Sequence, residues 1–316
     1  KQEQEVTIEA LLTDPYYLGA RNIWPSIRHE IEEIWHRRCN FSVAFRHKGK
    51  VVKQDSIYAL SFEHARRRAM EKWPRQGAEC DRIDVYRQHE IHTVVIECPK
   101  GTGKDFEMAL IIWLLVREFL IQDRLAFFSA YNLDTDTTIS INCVNRSEVQ
   151  AKAVTFKELL PKFNTPFFND YFPPQVDVKE VMNARIMPSE LRFPRNIVLF
   201  PGTGSASSGL GYTLGSAVID EANFLEKTEG SKQSIQGDAY DAAQEIYDDA
   251  LQRHFSRFGT IRNGLMSVAG LIVCISSSRT TSDFTQKMER RAEKDPGIYY
   301  SSKNFWERKP LPLCGK

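Results

Sequence analysis

One short segment of the sequence carries the residues needed to bind a phosphate group. It reads Val94-Val-Ile-Glu-Cys-Pro-Lys-Gly-Thr-Gly-Lys-Asp-Phe106, an apolar strand that leads into a Gly-Lys loop and then a helix. The backbone N–H groups of such a loop and the N-terminal end of the helix face an anion, and Lys104 adds a mobile positive charge. The predicted phosphate-binding residues are Pro99, Lys100, Gly101, Thr102, Gly103, Lys104, Asp105 and Phe106.

Two positions depart from the usual phosphate-loop pattern, which has Gly, four residues, Gly-Lys and then Ser or Thr. Cys98 stands at the first glycine, and Asp105 stands at the hydroxyl residue. A glycine-rich turn between a strand and a helix is often no more than a turn. For the loop taken alone, that structural alternative stays open.

A second segment provides carboxylates that suit a metal-assisted reaction at phosphate. Ser216-Ala-Val-Ile-Asp-Glu-Ala-Asn223 is an apolar strand that ends in Asp220 and Glu221. At the carboxyl end of a strand beside a phosphate loop, the first acid can hold Mg²⁺ and the second can accept a proton from an attacking water. The alternative is a strand that ends in two solvated acids.

A third segment, Gly270-Leu-Ile-Val-Cys-Ile-Ser-Ser-Ser-Arg279, is an apolar strand that ends in three hydroxyl residues and an arginine. Small hydroxyl residues at such a strand end can sense a terminal phosphate or its bound water. A serine-rich turn after a strand is also common in proteins without this role.

These segments need a scaffold in which strands alternate with helices. From residue 92 onward the pattern predicts strands at 93–98, 125–128, 139–144, 196–200, 217–219 and 271–275. It predicts helices at 104–122, 145–160, 238–258 and 283–294. Such alternation implies a mostly parallel sheet that helices cover on both faces.

Residues 1–90 look like a separate N-terminal segment. We predict a helix at 26–38, then strands at 41–45 and 57–60, a helix at 61–73 and a strand at 82–86. The part from about 40 to 88 therefore reads as a small β/α appendage with a basic helix. Arg66, Arg67 and Arg68 of that helix can equally form an ordinary solvated face.

The overall composition limits the function classes. The chain has 316 residues and a net charge of +1, so any contact with a polyanion must be local. The six cysteines lack zinc-site spacing, which favours buried thiols in a reducing compartment. The longest apolar run, 108–116, is too short to span a bilayer, and no signal peptide is visible. The chain begins at Lys1 without Met, so we expect an excised fragment.

The order of these motifs resembles the ATPase domain of the large terminase subunit, the DNA-packaging motor of tailed bacteriophages. The resemblance covers roughly residues 91–290. Lys100 holds the place of a basic residue four positions before the Walker A lysine, and Val218-Ile-Asp-Glu-Ala222 is similar to the Walker B strand. The segments that look like further family motifs are Asn145-Arg-Ser-Glu-Val-Gln-Ala-Lys152, Phe200-Pro-Gly-Thr-Gly-Ser-Ala-Ser-Ser208, Ile275-Ser-Ser-Ser278 and, for adenine, Ile23-Trp-Pro25 with Pro15-Tyr-Tyr17.

This resemblance implies a fold class. It is α/β, a P-loop NTPase with a mostly parallel, RecA/ASCE-like central sheet flanked by helices, plus the small N-terminal appendage. The implied division is an N-terminal segment at 1–90, an ATPase core at 91–300, and a tail or linker at 301–316 toward a nuclease domain. After residue 282 we find no acid cluster, so no nuclease activity is expected from this chain.

The resemblance also implies roles for individual residues, with ATP and Mg²⁺ as cofactors. Lys104 and the loop N–H groups would bind the β- and γ-phosphates, and Lys100 would offset charge on the phosphoryl group. Asp220 would hold Mg²⁺, and Glu221 would orient or deprotonate the water. Asp105 departs from the hydroxyl residue of the family, and we hypothesise that it joins the metal shell and makes nucleotide binding unusually dependent on Mg²⁺. The implied coupling residues are Ser276, Ser277 and Ser278.

The implied partners are double-stranded DNA, the portal protein, the small terminase subunit and further copies of the chain in a homo-oligomeric ring. The implied location is the cytoplasm of the infected bacterial host, at the procapsid portal. No arginine precedes the Walker B strand where some terminases present one to a neighbouring subunit. Arg253, Arg257 and Arg279 remain open as alternatives.

Two other functions fit parts of the sequence. Asp220-Glu-Ala-Asn223 looks like a helicase acid box, which suggests a helicase-like DNA-dependent ATPase, although no second phosphate-loop half is visible. Cys98 and Asp105 instead suggest a degenerate nucleotide-binding scaffold that does not hydrolyse.

Overall fold

The computed structural model describes most of the chain. The described residues are 6–38, 40–59, 62–72, 80–87, 91–122, 124–146, 155–174, 190–203, 213–225, 227–228, 240–262, 265–280 and 283–309. The predicted helix start at 147–148, the Gly/Ser-rich segment 204–208 and the Pro-rich end at 310–312 lie outside them.

The N-terminal part contains two helices and then a small sheet with one helix. These elements are α1 (Ile8–Thr13), α2 (Pro25–Arg38), β1 (Asn40–His47), β2 (Lys50–Tyr58), α3 (Phe62–Lys72) and β3 (Arg82–Arg87). The small sheet is antiparallel with the order β2-β1-β3. We call β1, β2, α3 and β3 the N-terminal module.

The remaining elements build the large sheet and its covering helices. The first half comprises β4 (Thr93–Glu97), α4 (Lys104–Ile121), α5 (Arg124–Ala130), β5 (Ile139–Asn145), α6 (Lys157–Phe163), α7 (Pro166–Tyr171), β6 (Leu191–Phe193), β7 (Ile197–Thr203) and β8 (Thr213–Asp220). The second half comprises β9 (Lys227–Thr228), β10 (Tyr240–Asp241), α8 (Ala242–Phe258), β11 (Gly259–Arg262), β12 (Leu265–Val268), β13 (Ile272–Ser276), α9 (Phe284–Ala292), β14 (Ile298–Ser302) and α10 (Phe305–Arg308).

Within the described residues, the large sheet has seven strands in the order β14-β4-β13-β8-β5-β7-β6. Neighbouring strands pair in parallel except β6, which runs antiparallel to β7. Apolar residues alternate between the two faces of β4, because Val94 and Ile96 join one hydrophobic core and Val95 joins the other. Helices α1, α2 and α4 cover the first face, and α8 and α9 cover the second.

The N-terminal module has its own hydrophobic core. Phe41, Val43 and Phe45 of β1 pack against Ala65 and Ala69 of α3. The predicted fold class is confirmed: a P-loop-type, mostly parallel sheet between helices, with a small appended antiparallel sheet. Helices α1 and α2 lie in the core of the large sheet, not in that of the module.

The predicted strand at 125–128 is wrong, because these residues belong to helix α5. Leu125 is 70% exposed, whereas Phe128, three residues later, is buried. The aromatic and apolar composition favoured a strand, but packing of Phe127 against Phe119 and Phe258 favours the helix.

Several strands extend beyond or escape the prediction. The strand predicted at 57–60 is only the end of β2, whose first seven residues, Lys-Val-Val-Lys-Gln-Asp-Ser, are mostly polar and none of them is buried. Strands β6, β9, β10, β11, β12 and β14 were not predicted, and β14 pairs with β4 at the edge of the large sheet. Its sequence, Ile-Tyr-Tyr-Ser-Ser, is too short to give a clear pattern.

Buried ion pairs fix both ends of α4. Near its C-terminal end, Glu118 accepts a 2.7 Å hydrogen bond from Arg38 of α2, and Arg38 also donates to the carbonyl oxygen of Gly270, just before β13. Near its N-terminal end, Glu107 and Glu30 of α2 both pair with Arg308 of α10. Residues 301–309, predicted as a tail, thus include a side chain that is buried in the core.

Within the described part of the chain, no helix has the length and apolarity needed to cross a membrane.

Candidate functional site

The strand order brings the predicted loop and the predicted acids to one edge of the sheet. Strand β13 lies between β4 and β8, and Ile275 pairs with both Ile96 and Asp220. All three strands are parallel, so their carboxyl ends meet. The loop after β4, Asp220 and Glu221 after β8, and the serines after β13 therefore surround a common space.

Two glycines with positive φ shape the loop. Gly101 has φ 76° and Gly103 has φ 79°, a region that side chains rarely adopt. Gly103 also leaves no room for a side chain, since a Cβ there would lie 3.0 Å from Ile27 and 3.7 Å from Trp24 of the N-terminal segment. The hydroxyl of Thr102 closes the loop by donating to the carbonyl oxygen of Pro99 at 2.6 Å.

Lys104, the first residue of α4, lies between the two predicted catalytic acids. Its ammonium group donates to Asp220 Oδ1 at 3.0 Å and to Glu221 Oε1 at 2.7 Å. The Asp105 carboxylate lies 3.6 Å from the same nitrogen. The second oxygen of Asp220 accepts a 2.8 Å hydrogen bond from the Asn145 side-chain amide at the end of β5. Polar groups from several elements thus surround one lysine.

One lysine faces three carboxylates in this partly buried cluster. Burial lowers the pKa of Lys104, but the carboxylates of Asp220 and Glu221 outweigh that effect, so its pKa is raised and the group is cationic. Burial raises the pKa of Asp220, and Lys104 opposes the rise. The lysine and the aspartate therefore depend on each other for their charged states.

Glu221 is held in an unusual backbone conformation. Its φ of 53° and ψ of 40° lie in the left-handed region, which is uncommon for a residue with a side chain. This turn starts the short 3₁₀ helix Ala222–Phe224 and lets Glu221 point to Lys104 although its neighbour Asp220 does so too. Its Oε2 atom is buried without a hydrogen-bond partner, so one oxygen is left to receive a ligand.

The residues at this edge fit a magnesium ion that is shared with a phosphate. Asp220 and Asp105 both approach Lys104, and both carry oxygen ligands of the type Mg²⁺ prefers. Among the described residues, no group of three His, Cys, Asp or Glu side chains forms a complete metal site. Mg²⁺ is commonly bound through one or two carboxylates plus substrate phosphates and waters, so two acids are sufficient.

The predicted coupling serines meet a residue that sequence reasoning did not single out, Asn223. Its backbone N–H donates to Ser276 Oγ at 3.0 Å, and its side-chain amide donates to the Ser277 carbonyl at 3.0 Å. The same amide bonds Thr285 of α9, whose hydroxyl donates to Glu97 at the end of β4. Asn223 therefore joins the ends of β4, β8 and β13 to helix α9.

The three serines differ in their surroundings. Ser276 and Ser277 are buried, and Ser278 is exposed. The Ser277 hydroxyl has no hydrogen-bond partner in the described structure. Only Ser276 and Ser277 thus belong to the polar network behind the acids.

Two cations approach one aromatic ring beside the acids. The Lys100 ammonium lies 5.1 Å from the centre of the Phe224 ring, and the Arg279 guanidinium lies 5.0 Å from it. The two cationic groups are therefore at most about 10 Å apart. Arg279 also donates to the carbonyl oxygen of Asn223 at 3.1 Å. Of the three arginines left open by the sequence, Arg279 is the one placed at this edge.

Most of the predicted site residues lie at this edge, and unpredicted ones join them. The sequence pattern assigned Asn145 to a helix start, but it is the last residue of β5 and bonds Asp220. Asn223 follows the two predicted acids but had no predicted role, and no sequence pattern marked Thr285 or Glu97 as site residues. The sequence feature that could have identified Asn145 as a site residue is its position as a polar residue at the end of a buried strand.

Comparisons with known proteins place the chain in a family. Among curated proteins, none matches it. Solved structures that match include the large terminase of a thermophilic bacteriophage in complex with ATP-gamma-S, with 8% identity, 70% of this chain, 41% of that chain and a TM-score of 0.41. The HK97 bacteriophage large terminase matches with 16% identity, 67% of this chain, 35% of that chain and a TM-score of 0.40.

The isolated ATPase domain of the Thermus phage P74-26 large terminase matches with 11% identity, 71% of this chain, 83% of that chain and a TM-score of 0.37. The chain spans 41% and 35% of the length of the two other terminases. Large terminases, the family that the sequence resembles, are thus among the matching structures. Because these TM-scores are below 0.5, the fold assignment depends on the sheet order and on a family match.

That family match covers residues 77–312, more than half of the chain. Its description is "Uncharacterized protein MJ0330, N-terminal P-loop domain". The matched range includes the loop, both acids, the coupling serines and the buried Arg308. This chain therefore belongs to the family of the MJ0330 N-terminal P-loop domain.

Proposed function

We propose that this chain is a Mg²⁺-dependent ATPase that drives double-stranded DNA, as the motor of viral DNA packaging does. The observation that carries the ATPase part is the contact of Lys104 with both Asp220 and Glu221 at the mouth of the loop. A lysine, a metal-binding acid and a second acid with a free oxygen are the parts that phosphoryl transfer to water requires.

The binding step uses the loop and its lysine. Backbone N–H groups from Lys100 to Asp105 and the first turn of α4 receive the β- and γ-phosphates. Lys104 then exchanges its bond with Glu221 for phosphate oxygens, since an ammonium group on a mobile stem can reach either. Trp24 lies beside Gly103, and this proximity supports the proposal that it contacts the adenosine part of the nucleotide.

The hydrolytic step uses Glu221. Released from Lys104, its carboxylate orients and deprotonates the attacking water. Lys100 and Arg279 both carry positive charge near this residue, and they stabilise charge that develops on the phosphoryl oxygens. Mg²⁺, when bound, supplies charge neutralisation at the phosphates, and Asp220 and Asp105 are the residues that would hold it.

The DNA part of the proposal is supported by the order of motifs in the sequence, and so is the choice of ATP as the nucleotide. The partners proposed with it are the portal protein, the small terminase subunit and further copies of the chain in a ring, in the cytoplasm of the infected bacterium. Ser276 and Ser277, linked through Asn223 to α9, are the proposed coupling residues.

The proposal is tested by ATP hydrolysis with and without Mg²⁺ and a long DNA duplex. The wild type is expected to hydrolyse ATP only with Mg²⁺ and faster with duplex. Glu221→Ala should lose hydrolysis by about 10²- to 10³-fold while it still binds labelled ATP. Glu293→Ala, which removes an exposed carboxylate just after α9, is the matched control and should keep the wild-type rate.

The same assays separate the other two functions. A wild type that binds ATP but stays silent with Mg²⁺ and DNA is a scaffold, and that result would refute the ATPase proposal. Hydrolysis that accompanies separation of the duplex strands indicates a helicase and contradicts the packaging motor. Translocation is measured by displacement of a third strand from the duplex, which requires no unwinding.

A further inference from the structure

The N-terminal module is much more basic than the rest of the chain. Residues 40–87 contain 11 Lys and Arg against 6 Asp and Glu, although the whole chain has a net charge of only +1. The module therefore carries about +5, and the remainder of the chain is acidic. A local excess of this kind is the electrostatic signature of a polyanion contact.

Part of this positive charge lies at one end of the small sheet. Lys48 and Gly49 form the two-residue turn of the β1–β2 hairpin, both with positive φ, and Lys50 follows. The backbone N–H of Lys48 donates to Asp81, and Arg46 donates to the carbonyl oxygen of Gly49 at 3.0 Å. The hairpin tip is therefore tied to the start of β3.

Two arginines are held in fixed positions at the same end. Asp84 accepts from Arg46 Nε and from Arg82 Nε, each at 2.6 Å, through its two oxygens. One carboxylate thus positions two guanidinium groups, and the Arg82 side chain stays 73% exposed. A cation that is already ordered loses less conformational entropy when it binds a phosphate.

A cleft extends this cationic surface toward α3. It has a volume of about 560 Å³, lies between α3 and β3, and is lined by Arg66 and Arg82 and also by Asp81 and Asp84. Both carboxylates already accept hydrogen bonds from within the module. We call Arg46, Lys48, Lys50, Arg66 and Arg82 the basic strip. Among the described residues, Lys48, Lys50 and Arg66 have no ion pair with a carboxylate, so their charges are available to a ligand.

We propose that the basic strip binds the phosphate backbone of duplex DNA without reading its sequence. Charge complementarity favours this occupant, because a duplex presents regularly spaced phosphates. The described aromatic side chains of the module, Phe41 and Phe45, are buried under α3 and cannot stack on bases, as a single-strand site requires. The choice of DNA rests on the proposed function, but the contact itself needs no nucleotide.

The test measures binding of the full chain to a fluorescein-labelled duplex of about 30 base pairs by anisotropy, without ATP, over a series of salt concentrations. The variant is Lys48→Asn/Lys50→Gln/Arg66→Gln, in which Asn suits the left-handed position of residue 48. The slope of log affinity against log salt should fall by about 2 to 3, since each lost phosphate contact is worth about 0.9.

A second variant controls for the loss of three charges. Lys157→Gln/Arg290→Gln/Lys294→Gln removes three exposed cations of the large domain. It should bind the duplex like the wild type, and both variants should keep the wild-type melting temperature and basal ATP hydrolysis. Equal losses of affinity in the two variants, or no loss in the strip variant, overturn the proposal.

Two further arms identify the ligand. A single strand of the same length should bind more weakly than the duplex, and equal or tighter binding overturns the duplex assignment. Poly-glutamate at the same charge concentration should not displace the duplex. If it does, the strip serves an acidic protein and the DNA assignment fails. The binding assay contains no ATP. The basic strip can therefore fail to bind DNA while the chain hydrolyses ATP, and the chain can fail to hydrolyse ATP while the strip binds DNA.

Discussion

Two clusters, each with a cation that contacts two carboxylates, lie about one helical turn apart at the start of α4. In the first, Lys104 pairs with Asp220 and Glu221, and in the second, Arg308 pairs with Glu30 and Glu107. The first is partly open, with the Glu221 side chain 29% exposed, whereas all three side chains of the second are fully buried. We call them the open cluster and the closed cluster.

The two clusters differ in access to a ligand, and we expect access to determine the role of each cluster. A cation between two carboxylates can exchange one of them for a phosphate only where a phosphate can enter. In the open cluster the lysine is a compact charge on a flexible stem, suited to exchange. In the closed cluster the planar arginine is fixed between α2, α4 and α10, where it stabilises their packing.

The largest expected effect concerns the stability that the closed cluster provides. Arg308→Met leaves Glu107 buried without its cation and Glu30 with only the Lys303 ammonium at 3.6 Å, so the free energy of unfolding should fall by about 3–5 kcal/mol. Urea denaturation followed by circular dichroism measures this change. Adding Glu30→Leu and Glu107→Leu should restore most of the loss. A single variant as stable as the wild type shows that the cluster contributes nothing.

The corresponding substitution in the open cluster should affect ATP hydrolysis more than stability. Lys104→Met removes the ligand of the phosphates, and ATP hydrolysis should fall by about 10²- to 10³-fold, which corresponds to about 2.7–4 kcal/mol. The same urea assay should show a smaller loss of stability than Arg308→Met does. The comparison between the clusters fails if the two variants change stability equally.

Arg279 provides a smaller, more specific test of the open cluster. Arg279→Ala should lower kcat by about tenfold to a hundredfold, with an unchanged affinity for ATP, since its charge is needed only as the phosphoryl group is transferred. Arg279→Lys should recover part of kcat. Arg253→Ala and Arg257→Ala are the matched variants of the other two candidates. A loss of kcat in either of them, and none in Arg279→Ala, would assign the role elsewhere.

The closed cluster should also respond to pH. Burial, together with the Glu30 charge, raises the pKa of Glu107 to about 8, from 4.5 for the unfolded chain, despite Arg308. Between these values the folded state binds more protons than the unfolded state, so the free energy of unfolding falls as pH rises. In Glu107→Gln that decrease from about pH 6 to about pH 8 should be smaller, as thermal melts at several pH values can show. Equal slopes would falsify the raised pKa.

The smallest effect is expected at Asp105, on the edge of the open cluster. Asp105→Thr restores the usual hydroxyl and removes one negative charge beside the phosphates. ATP should therefore bind the variant more tightly than the wild type when Mg²⁺ is absent, and the gain in affinity on adding Mg²⁺ should be smaller. Titrations of labelled ATP at several Mg²⁺ concentrations measure both quantities. Identical metal dependence in the two proteins contradicts a place for Asp105 in the metal shell.

The open cluster was accessible from the sequence because its parts lie on short, strongly patterned segments. A Gly-Lys loop after an apolar strand and two acids after another strand mark Lys104, Asp220 and Glu221. The parallel sheet then brings their strand ends together without further information. The contact between Lys104 and both acids still required the structure, since adjacent residues of a strand normally point to opposite faces.

The closed cluster could not be found from the sequence. Glu30, Glu107 and Arg308 lie far apart along the chain, and each looks like an ordinary exposed charge of an amphipathic segment. Asn223 was not identified as a site residue for a related reason, because its hydrogen-bond partners on β13 and α9 are distant from it in the sequence. The helix α5 was mistaken for a strand because tertiary packing, and not local pattern, decides a seven-residue apolar segment.

The ion pairs near the two ends of α4 connect this helix to several other elements of the large domain. Eighteen residues long, it spans about 27 Å and begins at Lys104. Its far end is fixed by Arg38 to the carbonyl of Gly270, where β13 starts, and β13 ends at Ser276, a predicted coupling residue. Helix α4, Arg38 and β13 therefore form one continuous set of connected elements that holds Lys104 and Ser276 in a fixed relation to each other.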